Sequence, residues 1–143
     1  NDDNIVADLL GEYAFDVDGR RVRKGFAGGL LGHWAFWTRR AVELLEEVRQ
    51  WRGRAQLPAA LLRRGHAVTD VNAAVFDPAH DFRGCISGIN EVLRRQGLLA
   101  NRLCLSPEER LSPGQTEEID RVYRAYPELN DDDFVRQHLH EWL

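Results

Sequence analysis

Few side chains in this sequence are both reactive by type and grouped by spacing. Lys24 is the single lysine, set in the run Arg20-Arg21-Val22-Arg23-Lys24. Neighbouring cations lower a lysine's pKa, which makes its amine nucleophilic towards carbonyl carbon. A lysine on a polar hairpin among arginines reads first as a solvated charge, and no catalytic role is assigned to it. His138 and His140 stand two apart on a helical stretch; side chains so spaced point ~200° apart and cannot grip one metal ion together. Asp77, His80 and Asp81 share a loop but lack ligand spacing, and read as loop polarity. Cys85 falls near a helix start, where the positive helix end favours a thiolate, although a structural thiol is the plainer expectation. The chain has no Ser-His-Asp signature and no P-loop, and Gly28-Gly29-Leu30-Leu31-Gly32 lacks dinucleotide-fingerprint spacing. Neither a metal nor an organic cofactor is expected.

The 143 residues, 43% hydrophobic and 29% charged, have the balance of a soluble globular chain and not of a disordered tail. That length suffices for a core but not for a complete barrel of roughly 250 residues. No apolar run approaches the roughly 18 residues of a membrane span, and no signal peptide is evident. A net charge of −4 argues against a nucleic-acid partner. Two cysteines are too few for a disulfide framework, so a cytoplasmic location is expected. The chain begins at Asn1 and contains no methionine, which leads to the expectation of a processed or partial chain.

The elements follow from periodicity. Asp2 or Asp3 can cap a helix carrying Ile5, Val6, Leu9 and Leu10, ended by Gly11. Alternation at Tyr13, Phe15 and Val17 around Asp18-Gly19 predicts a hairpin over 13–24 with a type I′ turn. The glycine-flanked run 28–37 predicts a buried strand. Ala41, Val42, Leu44, Leu45 and Val48 then predict an amphipathic helix from Thr38 to about Trp51. Pro58 opens another helix through Leu62, and a third is expected over 66–76. A loop spans 77–83, followed by a helix over 84–99. Ser106 to Glu109 and Ser112 to Gln115 each read as a capping box. The second opens a helix with Ile119, Val122, Tyr123 and Tyr126, which Pro127 stops. Asn130 or Asp131 caps the last helix, with Phe134, Val135, Leu139 and Trp142 turned inward.

Three of these stretches, in this order, resemble the dihydrodipicolinate synthase / N-acetylneuraminate lyase family. Asn1-Asp2-Asp3 and the following helix resemble the turn after barrel strand seven, with Asn1 where the family usually has glycine. Residues 28–48, GGLLGHWAFWTRRAVELLEEV, resemble the glycine-rich eighth strand and its helix. Residues 76–99, FDPAHDFRGCISGINEVLRRQGLL, resemble the C-terminal helical segment. The resemblance implies an α/β fold: the C-terminal portion of a (β/α)8 barrel, about strands seven to eight, plus a helical extension, mostly helical as it stands. Residues 1–55 would end the barrel, and 56–143 would form the helical segment of the same domain.

It also implies a lyase or aldolase in which a lysine forms a Schiff base with pyruvate or a 2-oxo (sugar) acid. That lysine would lie upstream of these residues, so they carry no catalytic group and would be inactive alone. They would contribute substrate-side positions at the strand ends: Asn1, Asp2 and Asp3 after strand seven, and Gly32, His33 and Trp34 near the end of strand eight. The plainer reading makes Asp2 a helix cap and Trp34 a core aromatic. The hairpin would lie at the barrel mouth. A homo-oligomer, dimer or tetramer, is implied, with no membrane partner. The alternatives are a non-catalytic helical assembly domain and a pseudoenzyme. A barrel portion with uncovered faces is expected to associate or to be molten.

Overall fold

A computed structural model describes residues 4–29 and 32–143; Asn1, Asp2, Asp3, Leu30 and Leu31 lie outside the described residues. The chain is mostly helical, with one two-stranded antiparallel sheet among the described residues. The elements run α1 (Ile5–Leu10), β1 (Tyr13–Val17), β2 (Arg20–Lys24), α2 (Thr38–Trp51), α3 (Ala59–Phe76), α4 (Cys85–Arg95), α5 (Gln115–Ala125) and α6 (Asp132–Trp142), with short 3-10 turns between. None of the helices described is long and apolar enough to cross a membrane.

A single apolar cluster joins the two halves of the sequence. Ile5, Val6 and Leu9 of α1 and Leu44 and Val48 of α2 meet Val68, Val71 and Val75 of α3, Val92 of α4 and Ile119 and Val122 of α5. α1, α2, α3 and α5 each contribute residues three or four apart, the spacing that gathers side chains on one face. α3 is the hub, packing on α1, α4 and α5.

Several expectations hold. The hairpin pairs Tyr13 with Lys24 and Val17 with Arg20, and Asp18 and Gly19 both take positive φ, as a type I′ turn requires. The helix from Thr38 ends at Trp51, and Pro127 follows α5 in a 3-10 turn.

Others are corrected. The expected strand over 28–37 is absent from its described part: Gly32–Ala35 form a 3-10 turn. His33, Phe36 and Trp37 are the buried residues there, and their spacing of three and four is helical, not alternating. The two helices expected over 58–76 are one. The helix runs through Gly65 without a break, and a Cβ at that position would make only ordinary contact with Val6 of α1. α4 stops at Arg95 because Gly97 takes φ +81°; its N–H donates to Arg94 O and that of Leu98 to Leu93 O. This pair of bonds is the Schellman ending that glycine permits. Ser106 to Glu109 form only a turn, and α5 begins at Gln115, not Pro113. Val42 and Ile86 are exposed, and Trp142 is 48% exposed, stacked on His138 at the surface.

Gly88 packs against the end of α3 so closely that a Cβ there would overlap the Val75 carbonyl oxygen, which is backbone and cannot swing aside. Gly88→Ala should therefore destabilise the fold by about 2–3 kcal/mol, the scale of overpacking, as read from urea denaturation. At Gly53, where nothing crowds the added carbon, alanine meets only the strain of positive φ and should cost less. Equal losses at the two positions would contradict this packing.

Candidate functional site

Two polar centres stand out: the segment singled out from sequence and a carboxylate knot at the end of α3. In the first, the 3-10 turn presents His33 inward at 2% exposure. Its Nδ1 lies 3.0 Å from Asn72 Oδ1 on α3, the geometry of an N–H donated to the amide oxygen. Trp34 and Phe36 pack edge-on to the imidazole at 5.5 and 5.1 Å. Burial in this aromatic shell lowers the His33 pKa to about 4, and the Asn72 bond opposes that shift only in part. The imidazole is therefore neutral at pH 7 and faces the core. Gly32 is exposed, but a Cβ there would meet the Phe76 ring at 2.7 Å. Trp34 is half-buried, and its carbonyl accepts from Thr38 Oγ1. Of the positions named for substrate contact, Gly32, His33 and Trp34 are thus adjacent but differently placed: one exposed, one buried, one between. Asn1, Asp2 and Asp3 lie outside the described residues.

The second centre was not singled out as a site from the sequence. Asp77, in left-handed conformation at the end of α3, is buried. Its Oδ2 accepts from Ser112 Oγ at 2.5 Å and from the Gly84 N–H at 3.1 Å, and its Oδ1 lies 2.6 Å from His80 Nδ1. Burial raises the carboxyl pKa, and the Ser112, His80 and Gly84 hydrogen bonds together outweigh it and hold it below the ordinary value. Beside it, Gln115 Nε2 donates to Val75 O and Gly84 O, while its Oε1 accepts from the Ser112 N–H. That last bond is half of the expected capping box. The other half is missing because Ser112 Oγ turns to Asp77.

A serine, a histidine and an aspartate are thus assembled, but not as a catalytic triad. Ser112 and His80 bind opposite oxygens of one carboxylate, so nothing here has the histidine withdraw the serine proton. Asp77 is an anchor, and His80, which read as mere loop polarity, is one of its partners. Only the separate loop positions of Asp77 and His80, and the Ser112 cap signal, were visible beforehand; their union spans 35 residues of chain. No group of three or more metal-ligating side chains occurs among the described residues. Lys24 is exposed on β2, and Cys85 is half-buried at the first turn of α4.

Comparison with profiles of known families, with curated proteins and with solved structures gives no match.

The buried imidazole makes stability depend on pH. Its folded pKa, about 4, lies below the unfolded 6.5, so between these values the unfolded chain takes up a proton that the folded chain refuses. Stability should fall as pH drops through this window, by at most about 3 kcal/mol. His33→Gln should flatten that part of the pH–stability curve in chemical denaturation. Identical slopes in the two proteins would show that His33 is not the buried neutral group described.

Proposed function

We propose that these residues are the C-terminal part of a Schiff-base lyase or aldolase related to the dihydrodipicolinate synthase / N-acetylneuraminate lyase family. It acts on pyruvate or a 2-oxo (sugar) acid, in the cytoplasm and without metal or organic cofactor. One observation carries the reading: the described parts of the three stretches that carry the sequence resemblance lie against one another around a single core. α1 packs on α2, Phe36 meets the Phe76 ring at 6.1 Å, and α3, which lies between the second and third stretches, packs on both α1 and α4. In the family arrangement they are the helix after strand seven, the segment of strand eight with its helix, and the helical extension.

The chemistry requires a lysine amine that adds to the 2-oxo carbonyl and expels water; the iminium then accepts the electron pair of the breaking carbon–carbon bond. Lys24 does not suit the task. It is exposed on a hairpin strand. The reading therefore places the reactive lysine on a strand outside these residues. It also moves the hairpin: α1 intervenes between the strand-seven turn and Tyr13, so the hairpin belongs to a helix-to-strand connection. Such connections lie on the barrel face opposite the active site, not at its mouth.

Borohydride reduction in the presence of pyruvate tests the proposal, since hydride fixes the C=N bond and leaves a mass adduct on the lysine. The longest chain encoded around these residues should be labelled on one lysine, and the 143-residue chain should not. A folded longer chain that gains no adduct would sink the lyase reading in favour of an assembly domain or pseudoenzyme. An adduct on Lys24 would refute the assignment of the lysine elsewhere.

A further inference from the structure

β2 reads Arg20-Arg21-Val22-Arg23-Lys24, and every residue of it but Val22 is exposed. Its neighbour on one side is β1. On the other side the sheet ends, because among the described residues it has only these two strands. In a hairpin closed by a two-residue turn the pair flanking the turn is hydrogen-bonded, and bonded and non-bonded pairs alternate from there. Val17 faces Arg20, so Phe15 with Val22 and Tyr13 with Lys24 are the further bonded pairs. The backbone N–H and C=O groups of Arg21 and Arg23 therefore point out of the sheet edge. No backbone hydrogen bond from another described element reaches them.

This edge is strongly charged, since four of the five side chains of β2 are cations. Asp16 stands directly opposite Arg21 on β1 at 3.7 Å, and Glu12 lies 3.4 Å from Arg23. Both are single contacts between exposed groups, and each leaves most of the guanidinium donors unused. Arg20 and Lys24 have no ion-pair partner among the described residues. On its inner side the strand already meets carboxylates; its outer side offers further cations together with free backbone.

Cations along an edge keep like edges apart. Pairing β2 with β2 of another copy would set cation against cation, and β1 carries Asp16 as its single charge. An acidic strand meets neither objection. Laid antiparallel against β2, it puts a carboxylate opposite every cation when four acidic residues surround a central apolar one, which falls beside Val22. Opposite charges across a ladder stabilise the pairing. Backbone bonds supply the rest, as they do wherever an extended peptide adds a strand to an open sheet.

We infer that β2 is a docking edge for an extended acidic segment of a partner protein, added as a third, antiparallel strand through the outward backbone groups of Arg21 and Arg23. The inference does not rest on the lyase reading. A contact of one short strand is small, so the docking is transient and weakens with salt.

A capped, dye-labelled peptide with the core Glu-Glu-Val-Glu-Glu tests this by fluorescence anisotropy with the full 143-residue chain at low salt. The peptide should bind. N-methylation of its two inner glutamates should weaken binding at least about ten-fold, because it removes the donors that face Arg21 and Arg23 at unchanged charge. Arg20→Glu and Lys24→Glu together should weaken it by about the same factor, with unchanged far-UV circular dichroism. Bound peptide should slow hydrogen exchange at the Arg21 and Arg23 amides and leave that of Val22, already turned to β1, unchanged. Absence of binding, equal binding of the N-methylated peptide or of a single-stranded oligonucleotide of the same charge, or protection that bypasses Arg21 and Arg23 would each overturn the inference.

Discussion

The C-terminal end of α3 must be buried, and a buried helix end leaves carbonyl oxygens that no residue of its own helix can satisfy. The Gln115 amide answers this by donating to the Val75 carbonyl from the start of α5 while also holding Gly84 O. The bond requires the first turns of α4 and α5 to converge on one point, and Gly84 and Gly88 make room for them; a Cβ at either would overlap its neighbours. Asp77 completes the junction by binding the Gly84 N–H and the Ser112 hydroxyl. Without this junction, α4 and α5 would keep their apolar faces but lose the contact that fixes their starting points relative to α3.

Away from the junction, buried charge is tolerated only where its partners are close. Glu91 has a side chain that is 2% exposed, yet it bonds Arg94 and Arg95, and Arg102 lies 3.4 Å away. The Arg94 bond leads the effects that hold its carboxyl down to about 2, overcoming desolvation. Asp70 is held below its usual value by the bidentate Arg121 guanidinium, aided by the Tyr126 hydroxyl. This tie joins α3 to the far end of α5, opposite the Gln115 contact. His33 solves the same problem differently: with only neutral neighbours, it gives up its charge.

Local periodicity made most helices legible. Residues such as Ala41, Leu44 and Val48, or Ile119 and Val122, state their buried face without knowledge of any partner. The hairpin was equally legible, because Asp18-Gly19 encodes its turn locally. The run 28–37 was misjudged because a short apolar stretch between glycines suits a buried strand and a buried turn alike; the helical spacing of His33, Phe36 and Trp37 was the discriminating sign. The carboxylate knot was hidden in the sequence. Asp77 and Ser112 are ordinary loop and cap residues until the packing of α3 against α5 joins them. Of the residues proposed to face substrate, sequence marked the region of the 3-10 turn but could not tell that its histidine points inward.

That inward histidine constrains any lyase reading. A group holding the core together through Asn72 cannot also reach a substrate unless the turn itself is rearranged by strands packed beside it. Within the proposed barrel, substrate contact from this segment would fall to exposed Gly32, whose lack of a side chain leaves backbone as its means of recognition, and to the open edge of Trp34. In that barrel the hairpin, following α1, would lie on the opposite face and away from the substrate.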